Sequence, residues 1–368
     1  MNGPYANELR ALKRSGRYRE RRLADESLID AASNDYLGLA HEKGLHELAC
    51  HTVASYAYHA PKASMLVGGY HPIHAAFEKA LCEANGFESA IVMGNGFNAN
   101  VGLIEALVRK GDLLLIDEEY HASGIVATRM CEGEVVFFPH NDVVAFETLL
   151  QRGEGRRIIV AVEGIYSMGG DRVEREILES AMKHDCVLII DEAHSSGVIG
   201  PNLMGILDHY GITPSVNTVK MGTLGKAYGS FGAYVLSSGH ICDYLINRGK
   251  NVIYATAPSL YDTALAHHAL EYILAHAREL RDAVDRRQRI VREMLGIEVG
   301  GLIVPITVGD NREVMRIKEE IETQMGISVG AIRQPTVKKA IIRLIARLEL
   351  SEETLVRLCE RFSAFKVQ

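Results

Sequence analysis

Residues 186–200 read CVLIIDEAHSSGVIG, and the apolar, mostly β-branched run at 187–190 leads directly into Asp191. A strand of that composition is buried on both faces and delivers its aspartate at the carboxyl end. Working outward, the pattern recurs in AIVM (90–93), LLLID (113–117), VVFF (135–138), RIIVAVE (157–163), NTVKM (217–221) and FGAYVL (231–236), most of them separated by helical stretches. Continuous apolar runs alternating with helices predict an α/β fold around a mostly parallel, seven-stranded sheet covered on both faces.

The segment TLGKAYGSFGAY, 223–234, follows the strand at 217–221 and sets Lys226 among Gly222, Gly225, Gly229 and Gly232. Glycines at that density let backbone approach a ligand closely. A lysine forms Schiff bases when desolvation or a neighbouring cation favours its neutral form. Pyridoxal phosphate (PLP) chemistry needs such a lysine and a carboxylate facing the pyridinium nitrogen. Lys226 and Asp191 supply that pair.

Ligands of open α/β sheets bind outside the carboxyl ends of the strands, and further polar residues fall there. In MGNGFNANVG, 93–102, Gly96 and Phe97 open a helix whose first amides can hold a phosphate. His121, in DEEYHAS, either lies over a cofactor ring or simply enters the next helix. Ser167 follows the strand that ends at Glu163. His194 lies three residues beyond Asp191, and Thr223, three before Lys226, offers a hydroxyl to the phosphate.

Composition sets the remaining bounds. With 47% hydrophobic and 24% charged residues the chain is of ordinary globular type, and no apolar run reaches the length of a membrane span. The net charge of -7 argues against nucleic acid as the main partner. Seven basic residues between Arg10 and Arg22 form the solvated face of a first helix or meet an anionic substrate. The six scattered cysteines read as reduced thiols of a cytoplasmic protein, and fifteen histidines without an HExxH pattern give no metal site. The expected division is an N-terminal segment, 1–42, joined to a small α+β domain at 256–368, with a large cofactor-binding domain at 43–255. A long helix over 261–295, a helix near 311–323, a strand at 339–348 and a final helix from Ser351 make up the small domain.

The motifs SNDYLGL (33–39), NGFNAN (95–100), HAS (121–123), EGIYSMGGD (163–171), DEAHSSGVIG (191–200) and TLGKAYG (223–229) occur in the order and spacing of the α-oxoamine synthases, which the chain resembles over nearly its whole length. These are PLP enzymes of fold type I, homodimers that condense an amino acid with an acyl thioester and release carbon dioxide. The resemblance implies that Lys226 carries PLP, Asp191 pairs with the pyridinium nitrogen and His121 stacks on the ring. It puts Ser167 and His194 near the phenolate oxygen, and Gly96, Phe97 and Thr223 at the phosphate. Thr256, in VIYATAP, matches a threonine given to the phosphate across the dimer interface. Asn34, and Arg343 beyond AIRQPTV (331–337), match contacts to the amino-acid carboxylate.

LVGGY, 66–70, is most similar to the branch that acts in biotin formation, whose substrates are L-alanine and a pimeloyl thioester of CoA or acyl carrier protein. The chain departs from that branch at Met65, which replaces an arginine, at KKAIIR (338–343) and at the single Pro258. Glycine-using members of the family, an aminotransferase or lyase of the same fold, and a binding protein that kept the fold are the alternatives.

Overall fold

The structure, a computed structural model, describes residues 3–153 and 155–365. In chain order its strands are β1 (Ile29–Ala31), β2 (Ser89–Met93), β3 (Leu113–Asp117), β4 (Glu134–Phe138), β5 (Ile158–Glu163), β6 (Val187–Asp191), β7 (Thr218–Thr223), β8 (Ala233–Ser237), β9 (Ile303–Gly309), β10 (Ile327–Ile332) and β11 (Ala340–Ile345). The chain divides into two compact units: Asp35–Ser167 with Asp171–Asp285, and the residues through Asn34 with Met168–Gly170 and those from Arg286 onward.

The larger unit is built on a seven-stranded sheet in the order β2-β8-β7-β6-β5-β3-β4. All its neighbours run parallel except β8, which is antiparallel to both β2 and β7. Ile116, Ile159, Ile189 and Val219, one from each of four strands, share a core with Leu103, Ile104 and Leu107 of the helix Gly96–Leu107. Each such side chain contributes about 1.5–3 kcal/mol by leaving water. The continuous apolar runs follow from this, because helices cover both faces and most strand positions point into an apolar layer.

The smaller unit holds the sheet β1-β10-β11-β9, in which β1 runs parallel to β10 and the other pairs are antiparallel. Arg347, 1% exposed, donates to Asp30, Glu349 and the Ser33 hydroxyl, so that a buried guanidinium is met by acceptors from both ends of the chain. Strand β10 has no counterpart among the expected elements. Its ISVGAI reads as a weak strand because Gly330 interrupts it, and pairing with β1 and β11 supplies what propensity lacks.

Two further differences follow from side-chain contacts. The expected helix over 261–295 is two helices, Leu260–Ala275 and Ala277–Leu295, broken where the His276 side chain stacks on Tyr272 and reaches its carbonyl. The change of character near 255 does not coincide with the end of the larger unit. Leu260 and Ala264 of the first of these helices pack with Ala49, Val53 and Ile73, which holds that helix in the larger unit. Among the described residues no helix is long and apolar enough to cross a membrane.

The loop after β7 depends on Gly229, whose φ of 57° lies in the left-handed region and whose missing Cβ would sit 2.5 Å from the Leu39 carbonyl carbon and the Ala40 nitrogen. Gly229→Ala is expected to lower unfolding free energy by about 1–3 kcal/mol, because both backbones must move apart. Denaturant titration of the variant against the parent protein checks this.

Candidate active site

Strand ends bring the reactive side chains of the larger unit together. Strand β6 ends at Asp191, which is 4% exposed. Its Oδ2 accepts from the Asn100 side-chain amide at 2.6 Å and its Oδ1 from the Ala193 backbone amide at 2.9 Å. Asn100 is itself fixed: it donates to Ser123 Oγ at 3.0 Å and accepts from the Tyr120 hydroxyl at 2.8 Å. A buried carboxylate held by two donors has one orientation, which suits a group that must face one ring nitrogen.

The turn after Asp191 presents His194, 5% exposed, whose Nε2 lies 2.7 Å from Lys226 Nζ. His194 Nδ1 lies 2.5 Å from the hydroxyl of the buried Tyr36. His121 caps the helix Ala122–Ala127, its Nδ1 2.7 Å from Ser123 Oγ, so it joins the Asn100 network as well as entering a helix. Burial pushes its imidazole below the ordinary value, with Asp191 opposing and Lys226 assisting.

Glu163, at the end of β5, is buried, and its Oε2 accepts from the Ser167 amide at 3.0 Å. Burial raises its carboxyl well above the carboxylate range; the Asp191 charge adds to this and Lys226 counters it. Lys226 and Asp191 thus act on both His121 and Glu163, which marks one electrostatic cluster.

The helix Gly96–Leu107 begins beside β7. Asn95 caps it by accepting from the Asn98 amide at 2.9 Å, and the amides of Gly96 and Phe97 remain for an outside acceptor. A Cβ on Gly96 would stand 3.6 Å from Thr223 Cβ, so the glycine, the helix N-terminus and the threonine hydroxyl border one place. These residues fit PLP. The set offers an amine for the aldehyde, a carboxylate for the ring nitrogen and a helix N-terminus for the phosphate. The buried Glu163 Oε1 has no partner among the described residues, as expected of a wall that faces a polar ligand.

Of the other expected residues, Thr256 is exposed on the segment after the helix Lys250–Ile253 and stands outside this network. Asn34 and Arg343 belong to the smaller unit, where the Arg343 guanidinium donates to Asn34 Oδ1 at 2.9 Å. Asn100, Tyr120 and Tyr36 were not expected. Asn100 carries a legible signal, being an asparagine on a helix otherwise buried through Ala99, Leu103, Ile104 and Leu107. Tyr36, inside SNDYLGL, carries none.

The class I and II aminotransferase family model matches residues 26–362. An 8-amino-7-oxononanoate synthase of Helicobacter pylori is 40% identical over 351 residues, covering 95% of this chain and 94% of that protein. The chain belongs to the class I and II aminotransferase family, with the 8-amino-7-oxononanoate synthases. A putative 8-amino-7-oxononanoate synthase of Aquifex aeolicus is 37% identical over 361 residues, with 95% and 94% covered. Among solved structures, serine palmitoyltransferase of Sphingomonas wittichii superposes with a TM-score of 0.83 at 24% identity, covering 92% of this chain and 86% of that one. The 8-amino-7-oxononanoate synthase of Francisella tularensis gives 0.77 at 23%, with 93% and 98% covered. These last two likenesses concern the fold, which this aminotransferase-family chain shares nearly end to end.

A second charged cluster secures the loop that carries Ser167. His140 lies 3.0 Å from Asp117 Oδ1 and 2.8 Å from Asp171 Oδ2, and Tyr166 donates to Asp117 Oδ2 at 2.9 Å. Burial draws the His140 imidazole down, but hydrogen bonds and charge from Asp117 and Asp171 outweigh it and hold the group at about 10. The folded protein therefore binds this proton more tightly than the unfolded chain, where a histidine titrates near ~6.5. The stabilisation is complete below that unfolded value and is lost as pH rises through about 10. The stability gap between the parent protein and His140→Gln is expected to narrow steadily over this window; urea midpoints taken across it would show a constant gap if the cluster were not charged.

Proposed function

We propose that the protein catalyses the decarboxylative condensation of L-alanine with a pimeloyl thioester, carried on CoA or acyl carrier protein, to give 8-amino-7-oxononanoate for biotin biosynthesis. The observation that carries this reading is Lys226 Nζ beside His194, in one cluster with the oriented carboxylate of Asp191, in a chain 40% identical to a synthase of that name.

Bound at Lys226, PLP supplies an electron sink for the pair left at the substrate Cα when a proton or carbon dioxide departs. Asp191 would pair with the pyridinium nitrogen and favour its protonated form. His121 would stack on the ring, and Ser167 with His194 would serve the phenolate oxygen. The Gly96 and Phe97 amides and the Thr223 hydroxyl would hold the phosphate. Lys226 Nζ takes the proton from alanine Cα, the new carbon–carbon bond forms at the thioester carbonyl, the carrier thiol leaves, and Lys226 returns a proton after carbon dioxide is lost. Asn34 and Arg343 take the alanine carboxylate through the paired arrangement they already hold. Thr256 is assigned to the phosphate of a second copy, which makes the working unit a homodimer. The same reading takes the enzyme to be cytoplasmic.

Release of free thiol is the direct test. L-alanine with pimeloyl-CoA or the pimeloyl carrier protein is expected to release it, and glycine with acetyl-CoA or succinyl-CoA is not. Preference for a glycine pair would keep the chemistry and change the product. Amino-group transfer to an oxo acid, with no thiol released, would make the protein an aminotransferase.

Two variants separate the roles. Lys226→Ala is expected to lose the borohydride-reducible cofactor linkage and all multiple turnover. Asp191→Asn is expected to retain PLP by absorbance while turnover falls at least about a hundredfold, the scale for removing a fixed charge at a reacting group. Normal turnover in Asp191→Asn would remove the carboxylate from the mechanism.

A further inference from the structure

We propose that Tyr36 is a positioning residue for Lys226 and acts through the tautomer of His194. The two ring nitrogens of His194 have separate partners, Lys226 Nζ at 2.7 Å from Nε2 and the Tyr36 hydroxyl at 2.5 Å from Nδ1. A lysine ammonium has donors and no acceptor. With Lys226 in that form, Nε2 must present its lone pair, so the imidazole proton sits on Nδ1 and the Tyr36 oxygen accepts it.

Both partners of this contact are enclosed, His194 at 5% exposure and Tyr36 at 0%. An Nδ1–H with no acceptor would there be a buried unsatisfied donor, so removing the phenol oxygen penalises the tautomer that serves Lys226. The turn itself is held by the Ala193 amide on Asp191 Oδ1.

The proton step balances simply. One Nζ–H bond of the Lys226 ammonium breaks and its electron pair stays on Nζ. The proton forms an Nε2–H bond, and the resulting imidazolium keeps its Nδ1–H on Tyr36. Lys226 is then a neutral amine, the form that attacks an aldehyde or removes a substrate proton. Other ionisable groups near these three side chains include Asp191 and Glu192 on the same turn, Glu163 and His121 at neighbouring strand ends, and Asp35 beside Tyr36. All of them remain in a Tyr36→Phe variant, so its difference from the parent reports the phenol oxygen alone.

The proposal rests on Lys226 being the reactive amine. Full-length protein freed of cofactor is mixed with PLP at a series of pH values, and the rise of the lysine-linked absorbance is timed. Tyr36→Phe is expected to move the half-point of the rate profile upward by about one to two pH units, the scale of a lost hydrogen bond to a charged group, in protein that still folds. An unmoved half-point, or a rate lowered equally at every pH, would overturn the role of Tyr36. Failure of the parent protein to form the linkage at any pH would instead overturn Lys226 as the amine, and the proposal with it.

Should Tyr36→Phe not fold, nitrogen NMR of the histidine-labelled parent freed of cofactor decides. His194, assigned by its loss in His194→Asn, is expected to carry its proton on Nδ1. A proton on Nε2 would overturn the proposal.

Discussion

Taking Asp191 out of water is the constraint around which the larger unit is arranged. A carboxylate buried without donors is too costly to persist, and two neighbouring elements supply them. The helix Gly96–Leu107 gives Asn100, the turn after β6 gives the Ala193 amide, and Tyr120 and Ser123 hold Asn100 in place. The reward is a charge of fixed direction, surrounded by low dielectric, where its effect on a bound ring is larger than in water.

Beneath that layer lies a second buried pair. Glu192 accepts from the Ile206 amide and the Ser195 hydroxyl, and Lys220 on β7 donates to Asn85 Oδ1 at 2.7 Å and to the Met204 carbonyl, with Glu192 4.0 Å away. A Cβ on Gly164 would strike the Glu192 carboxylate at 2.6 Å, and one on Gly205 at 2.3 Å. One carboxylate thus packs against three loops, those of Ser167, His194 and Met204. Buried ion pairs contribute little net stability. With the His140 cluster on the other flank, the polar edge of the sheet is tied at several points, while the apolar core below it is held by packing alone.

The legibility of the site followed the chemistry of each residue. Lys226 and Asp191 stood out because a charge directly after a buried strand needs a reason. His121, Ser167, His194 and Thr223 were legible through their places at successive strand ends. Tyr36 was not, since a tyrosine in a turn-rich segment is ordinary, and only folding brings it to a histidine 158 positions away. Strand β10 was missed because Gly330 interrupts its apolar run and its parallel partner β1 lies at the other end of the chain.

By itself the sequence determined the α/β class and the seven strands of the main sheet and pointed to Lys226 and Asp191, because apolar runs and the charges that end or follow them are local properties of the chain. Tertiary structure decided that His194 lies between Lys226 and Tyr36, that burial raises the Glu163 carboxyl well above the carboxylate range, and that the helix Leu260–Ala275 belongs with the larger unit. Each of these depends on distances between residues far apart in sequence, and on burial that exists only once the layers close.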